Sequence, residues 1–298
     1  MSPLPAPLAP EPGQRGVLDD PARWRAGIHR SWEIFDSLLT EVDLAARTRS
    51  RGKRARDLLI PLGAWPDARG IHAMVDDARD GSAEHVDQAA IEKRLRASHG
   101  DASDIEIVAM VRRSAEHIVS WTDSAQGTGE ADLVGPSPLG RVPVGTMIHA
   151  AAFQLAVIAR DLRPAGAPDR PELDALGVVA LVDSSGAVAA RMSAEASIAA
   201  VTPELTAGTG VREGAWRTVV ADETEGAGDD LGPAVVGSAG LIVDVAAGRI
   251  DLMGLARGLR VREGRGLVGM SVVLDGIPDL PAAGLLRRAG SLARLGRL

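Results

Sequence analysis

Residues 144–162 read VGTMIHAAAFQLAVIARDL. Five alanines and a single charged pair, Arg160-Asp161, make this stretch apolar around nearly its whole circumference. A helix of that kind has no solvent face, so it is expected to be buried and closely packed. Upstream, Gln126–Pro143 is rich in Gly and Pro and predicts a loop, and 103–122 carries Ile105, Val108, Val111, Ala115, Ile118 and Val119 at helical steps. Residues 84–97 predict a short helix. Residues 56–79 are apolar-periodic but interrupted by Pro61 and Pro66, so a bent or broken helix is expected there. Between residues 21 and 42 a stripe of Trp24, Ile28, Trp32, Phe35, Leu38, Leu39 and Val42 predicts another helix. Asp19 or Asp20 is positioned to cap it and Pro21 to open it.

Downstream, 163–172 (RPAGAPDRPE) holds three prolines and marks a domain boundary. Residues 172–192 predict a helix. Ser197–Val201, Trp216–Ala221, Ala234–Val236 and Leu259–Val261 read as short strands, with helical runs at Ser238–Arg249 and Gly266–Leu274. Mixed short strands and helices suggest a small α+β domain. The 298 residues therefore divide into a proline-rich tail over 1–16 expected to be disordered, a mainly helical domain over 17–164, and an α+β domain over 165–298.

Composition removes several function classes. The absence of cysteine excludes disulfides, thiolate metal sites and a cysteine nucleophile. A net charge of −7 and only 2% aromatic residues argue against a nucleic-acid partner. No uninterrupted apolar run reaches 18 residues, so no transmembrane segment is expected. The opening MSPLPAPLAPEPG lacks the basic-then-apolar order of a signal peptide, and a cytoplasmic location is expected.

The motifs for chemistry are sparse. His29, His72, His85, His99, His117 and His149 form no pair at metal-ligand spacing. Gly208-Thr-Gly210 and Gly264-Arg-Gly266 do not extend into a phosphate-binding fingerprint. Asp76-Asp77 and Asp229-Asp230 are neighbours that point apart on a helix, so they read as solvated surface. Arg47–Arg56 packs six basic residues into ten. It reads more readily as a solvated interhelical loop than as an anion site.

One resemblance spans about residues 20–290. The order is a helix, a basic loop, Arg56-Asp-Leu-Leu-Ile-Pro-Leu-Gly-Ala-Trp65, and a long helix ending Gln154-Leu-Ala-Val-Ile-Ala-Arg-Asp161-Leu162. It resembles the mycothiol-dependent maleylpyruvate isomerase family of the DinB-like superfamily. Residues 235–274 are similar in order to that family's second domain. The resemblance implies a four-helix bundle followed by a small sterol-carrier-like α+β domain. It also implies a divalent metal held by a histidine after "DLL" and by a glutamate and a histidine four residues apart on the last helix. Those positions fall on Pro61, Gln154 and Ile158 here, so no metal is expected, and mycothiol is implied by the resemblance only.

A bundle cavity with a neutral, apolar end remains, with Pro61, Trp65, Gln154, Ile158 and Asp161 as its expected ligand-binding residues. Its expected ligand is a small apolar or thiol-conjugated molecule. Asp161 has a second, structural reading as the partner of an arginine. The leading functional reading is a small-molecule-binding or non-catalytic protein. Against it stand a mycothiol-dependent isomerase or transferase with a rebuilt site, and an oligomerising module using helix 144–162 or the basic amphipathic residues 282–298.

Overall fold

The computed structural model describes residues 4–81, 86–138, 140–192, 195–221, 231–250 and 258–262. The expected helix over 266–274 and the basic segment over 282–298 lie outside the described residues.

Helix α1 (Pro21–Leu39) begins where the sequence placed it. Pro21 occupies its first turn and the Asp20 side chain accepts from the Arg23 backbone N–H at 3.1 Å. Helix α2 (Ala55–Arg69) runs continuously through Pro61 and Pro66. The break falls instead at Gly70, before α3 (Ile71–Arg79). The periodic stretch is thus two helices, divided by an extended glycine rather than by either proline. Helix α4 spans Gln88–Ser98. Helix α5 (Asp104–Asp123) opens on a capping box between Ser103 and Glu106, and a short α6 (Ala125–Glu130) follows. The expected loop over 126–143 contains that short helix and an antiparallel hairpin, β1 (Val134–Ser137) with β2 (Gly140–Pro143). Strands spelled VGPS and GRVP carry no alternating pattern, which is why periodicity missed them.

Helix α7 (Val144–Asp161) is the buried helix its composition predicts. It packs between α1 and α8 (Pro171–Arg191). Small residues set the spacing: a Cβ added at Gly177 of α8 would lie 2.8 Å from the Ala156 Cβ of α7. Gly63 of α2 plays the same part against Met110 and Val111 of α5. Ala156 of α7 thus meets α8 within the chain. Side chains of α1, α2, α5, α7 and α8 contribute to one continuous apolar core, among them Trp24, Phe35, Leu59, Ile107, Leu155 and Val178.

The five-stranded sheet has the order β5-β4-β3-β6-β7, with β3 (Ala196–Val201), β4 (Thr206–Arg212), β5 (Ala215–Ala221), β6 (Ala234–Val236) and β7 (Arg260–Arg262). All pairs are antiparallel except β3 with β6. Helix α8 lies against this sheet as well as against α7, and α9 (Ala239–Ala246) packs on both α7 and α8. Helix α8, directly after the proline-rich stretch at 163–172, therefore contributes to the helical core and to the sheet face alike. By length and composition alone α8 could cross a membrane, but 83% of its apolar window is buried inside the protein.

The N-terminal stretch corrects a second expectation. Residues 4–16 are placed on the sheet rather than disordered. Leu8 is fully buried with Ala199, Leu231 and Ala234, and the Trp216 N–H donates to the Gln14 carbonyl. Gly208 and Gly210 explain how. A Cβ at Gly210 would meet the Leu8 carbonyl oxygen at 2.2 Å, so the glycines of β4 make room for the strap. Gly208-Thr-Gly210 is a packing groove within a strand and not part of a phosphate loop.

Candidate functional site

Helices α2, α7 and α8 enclose a cavity of about 350 Å³, with further wall from the β1–β2 hairpin and α4. Pro61 and Trp65 of α2 and Gln154 of α7 line it. Pro61 is buried, Trp65 is half-buried, and Gln154 is exposed at the mouth. The Trp65 indole N–H donates to the Ser114 hydroxyl of α5, which fixes the ring as a wall. The chain has five tryptophans, two phenylalanines and no tyrosine, and Trp32, Trp65 and Phe153 all line this one cavity.

Ile158 and Asp161 do not line it, which corrects two expected site residues. Ile158 lies one turn beyond Gln154 on α7, and there the core has closed: Ile158 is buried among apolar neighbours. Asp161 faces away, toward the basic loop and the end of α9. It accepts from Arg249 through both oxygens, at 3.0 and 2.6 Å, and from the Ser50 hydroxyl at 2.8 Å. Its structural reading is the one realised.

Asp161 belongs to a larger knot of charge. Arg160 donates to Asp244 through Nε at 2.9 Å and Nη2 at 2.7 Å, and to Asp174 through Nη1 at 2.7 Å. Arg49, from the basic run, also pairs with Asp244 at 3.0 Å. The run is therefore not simply a solvated loop, since Arg49 docks it onto α9. Burial pushes the Asp244 carboxyl upward. The hydrogen bonds and charge of Arg160, with those of Arg49, outweigh it and hold the carboxyl below its usual range. At Asp174 burial wins over the Arg160 charge, and the carboxyl is raised.

Two polar features of the cavity escaped the sequence reading. Arg69, the last residue of α2, donates from Nη2 to Asp77 at 2.6 Å and to the Pro136 carbonyl at 3.2 Å, while its buried Nε has no partner among the described residues. Ser184 of α8 is 7% exposed, and its hydroxyl likewise has no partner among the described residues. Both residues line the cavity. The available signal was Asp183-Ser184-Ser185, three polar residues in an otherwise apolar helix. Asp183 itself points away, accepting from the Val17 N–H, the Trp216 indole and the Thr218 hydroxyl at 3.1, 3.1 and 2.7 Å, with His149 Nδ1 at 3.4 Å. Of the other histidines, His72 and His117 meet edge to face at 5.9 Å between ring centres. Burial and then the His72 charge push the His117 pKa down. Among the described residues no three His, Asp or Glu side chains gather as a metal set.

No protein-family model matches the chain, and no curated protein matches it in sequence. The fold has relatives among solved structures. The crystal structure of a mycothiol-dependent maleylpyruvate isomerase is similar over 83% of this chain and 95% of that one, with a TM-score of 0.51 and 14% identity. A histidine-to-alanine mutant of that isomerase aligns over the same shares, at a TM-score of 0.51 and 13% identity. The chain thus has a fold related to that isomerase, mostly helical with a small sheet region.

Proposed function

We propose that this chain is a small-molecule-binding protein on a maleylpyruvate-isomerase-like frame, using as a ligand cavity the space where the resembled family holds its metal. The observation that carries this reading is the apolar cavity walled by Pro61 and Trp65 with Gln154 at its mouth. On this reading α1, α2, α5 and α7 form the DinB-like four-helix bundle, and α8 onward forms the sterol-carrier-like domain. Pro61 and Ile158 carry no donor atom and Gln154 only a neutral amide, so these three residues do not fit a divalent metal. The preferred ligand is a compact apolar molecule. A mycothiol conjugate is the alternative that the resemblance alone suggests.

The test is a pair of titrations of the purified protein followed by amide and indole NMR signals. α-Methylstyrene is expected to shift the Trp65 and Gln154 signals saturably, and zinc is expected to shift neither. Stoichiometric zinc binding that Gln154→Ala abolishes would overturn the reading in favour of a metal-dependent isomerase.

A further inference from the structure

Aromatic side chains are scarce in this chain, and their placement is uneven. Of its five tryptophans and two phenylalanines, five are buried with partners of their own. Trp24 meets Trp121 edge to face at 6.2 Å, Trp32 meets Phe35 in the same way at 6.4 Å, and Trp216 donates its indole N–H to Asp183. Trp65 of α2 and Phe153 of α7 are the two that stay only half-buried, and both line the one cavity. Trp32 of α1 adds a third aromatic stretch to its wall. Large aromatic surface left out of the core is costly, and a ligand that covers it recovers that cost.

The rest of the wall narrows what that ligand is. Trp65 is held by the Ser114 hydroxyl at its indole N–H, and the His117 ring sits 6.4 Å away, centre to centre. The ring is therefore fixed in place before a ligand arrives. Met74 and Met147 line the same cavity, and thioethers on unbranched chains adapt to aromatic rings and make favourable contacts with them. A saturated ligand meets such a wall through dispersion alone. An aromatic one adds edge-to-face or offset contacts with each ring it touches. The volume sets the size: a cavity of ~150 Å³ holds benzene, so about 350 Å³ has room for a substituted ring or two fused rings.

Building on the small-molecule reading above, we infer that the ligand is aromatic, a substituted ring or a fused pair of rings packed against Trp65 and Phe153. The site therefore discriminates by the unsaturation of a ring and not by apolarity alone.

Two probes of one carbon skeleton test this: α-methylstyrene and isopropenylcyclohexane, in which the ring is saturated. Water hydrates the face of an aromatic ring better than a saturated ring, so a cavity that selects by apolarity alone binds isopropenylcyclohexane tighter. Dissociation constants are read by NMR titration of the full chain. The aromatic assignment predicts the reverse order, with α-methylstyrene tighter by roughly threefold or more. Phe153→Leu and Trp65→Leu keep the wall apolar. Each is expected to shrink that preference while leaving isopropenylcyclohexane binding within about threefold. The comparison on the native chain needs no variant and stands even if Trp65→Leu does not fold. Isopropenylcyclohexane bound more tightly, equally, or less than about threefold more weakly would overturn the aromatic assignment and leave the ligand-cavity reading intact. A preference unchanged in Phe153→Leu and in Trp65→Leu would overturn it too. Failure of both probes to bind would overturn both readings.

Discussion

The first turns of α7 and its last turn treat polar groups in opposite ways. From Met147 to Gln154 the helix lines an apolar cavity walled also by Trp32, Trp65 and Leu181. From Arg160 onward, nearly two turns later, it carries a guanidinium and a carboxylate whose hydrogen-bonding capacity is largely taken up by Asp244, Asp174, Arg249 and Ser50. That network joins the helical part to α9. The cavity end, on the proposed function, is left open for a ligand. On that reading one end of the helix serves docking and the other recognition.

Breaking the charged end should have the largest effect. Asp244→Ala removes the carboxylate that Arg160 and Arg49 share and leaves Arg160 with Asp174 alone, and is expected to cost about 3–5 kcal/mol in denaturant unfolding. Asp183→Ala removes the acceptor for three donors between α8, β5 and the strap before α1. It is expected to cost about 2–4 kcal/mol by the same measurement. Acid sharpens the contrast within the knot. The Asp244 carboxyl is held low in the fold, so its contribution is fully present above the unfolded value near ~4 and is lost as pH falls through the lower folded value. Asp174 is raised, so acidification favours the fold through that group. Stability measured between pH 6 and pH 2 should therefore fall less steeply in Asp244→Asn, and more steeply in Asp174→Asn, than in the native chain. The mildest change is at the cavity mouth. Gln154→Ala should alter stability by no more than about 0.5 kcal/mol, because its side chain is solvent-exposed.

Much of this division was legible in the sequence, for reasons that differ by element. The α1 start at Asp20 and Pro21 is a local signal, and it holds. The burial of α7 follows from its alanines, and β6 falls on Ala234–Val236 as expected. Strand β4 was not legible because its glycines make room chiefly for Leu8, about 200 residues away in sequence, with Leu231 beside it at Gly208. The same limit applies at the site. Pro61, Trp65 and Gln154 could be placed from helix order and family resemblance. The exclusion of Ile158 depends on where the core closes, and that of Asp161 on Arg249 arriving from the far end of α9. Arg69 and Ser184 became visible as lining residues only once α2 and α8 were placed around the cavity.

The claim that the upper part of α7 forms a ligand site, separate from the docking knot, is tested most directly by filling the cavity. Ala151 lines it, and Ala151→Leu projects into it without touching Arg160 or Asp161. The measurement is the α-methylstyrene dissociation constant of this variant beside that of the native chain, taken with their unfolding midpoints. The account predicts affinity weakened roughly tenfold or more with stability changed by less than about 1 kcal/mol. Unchanged affinity in the stable variant would contradict it, because the ligand would then be bound somewhere other than this cavity.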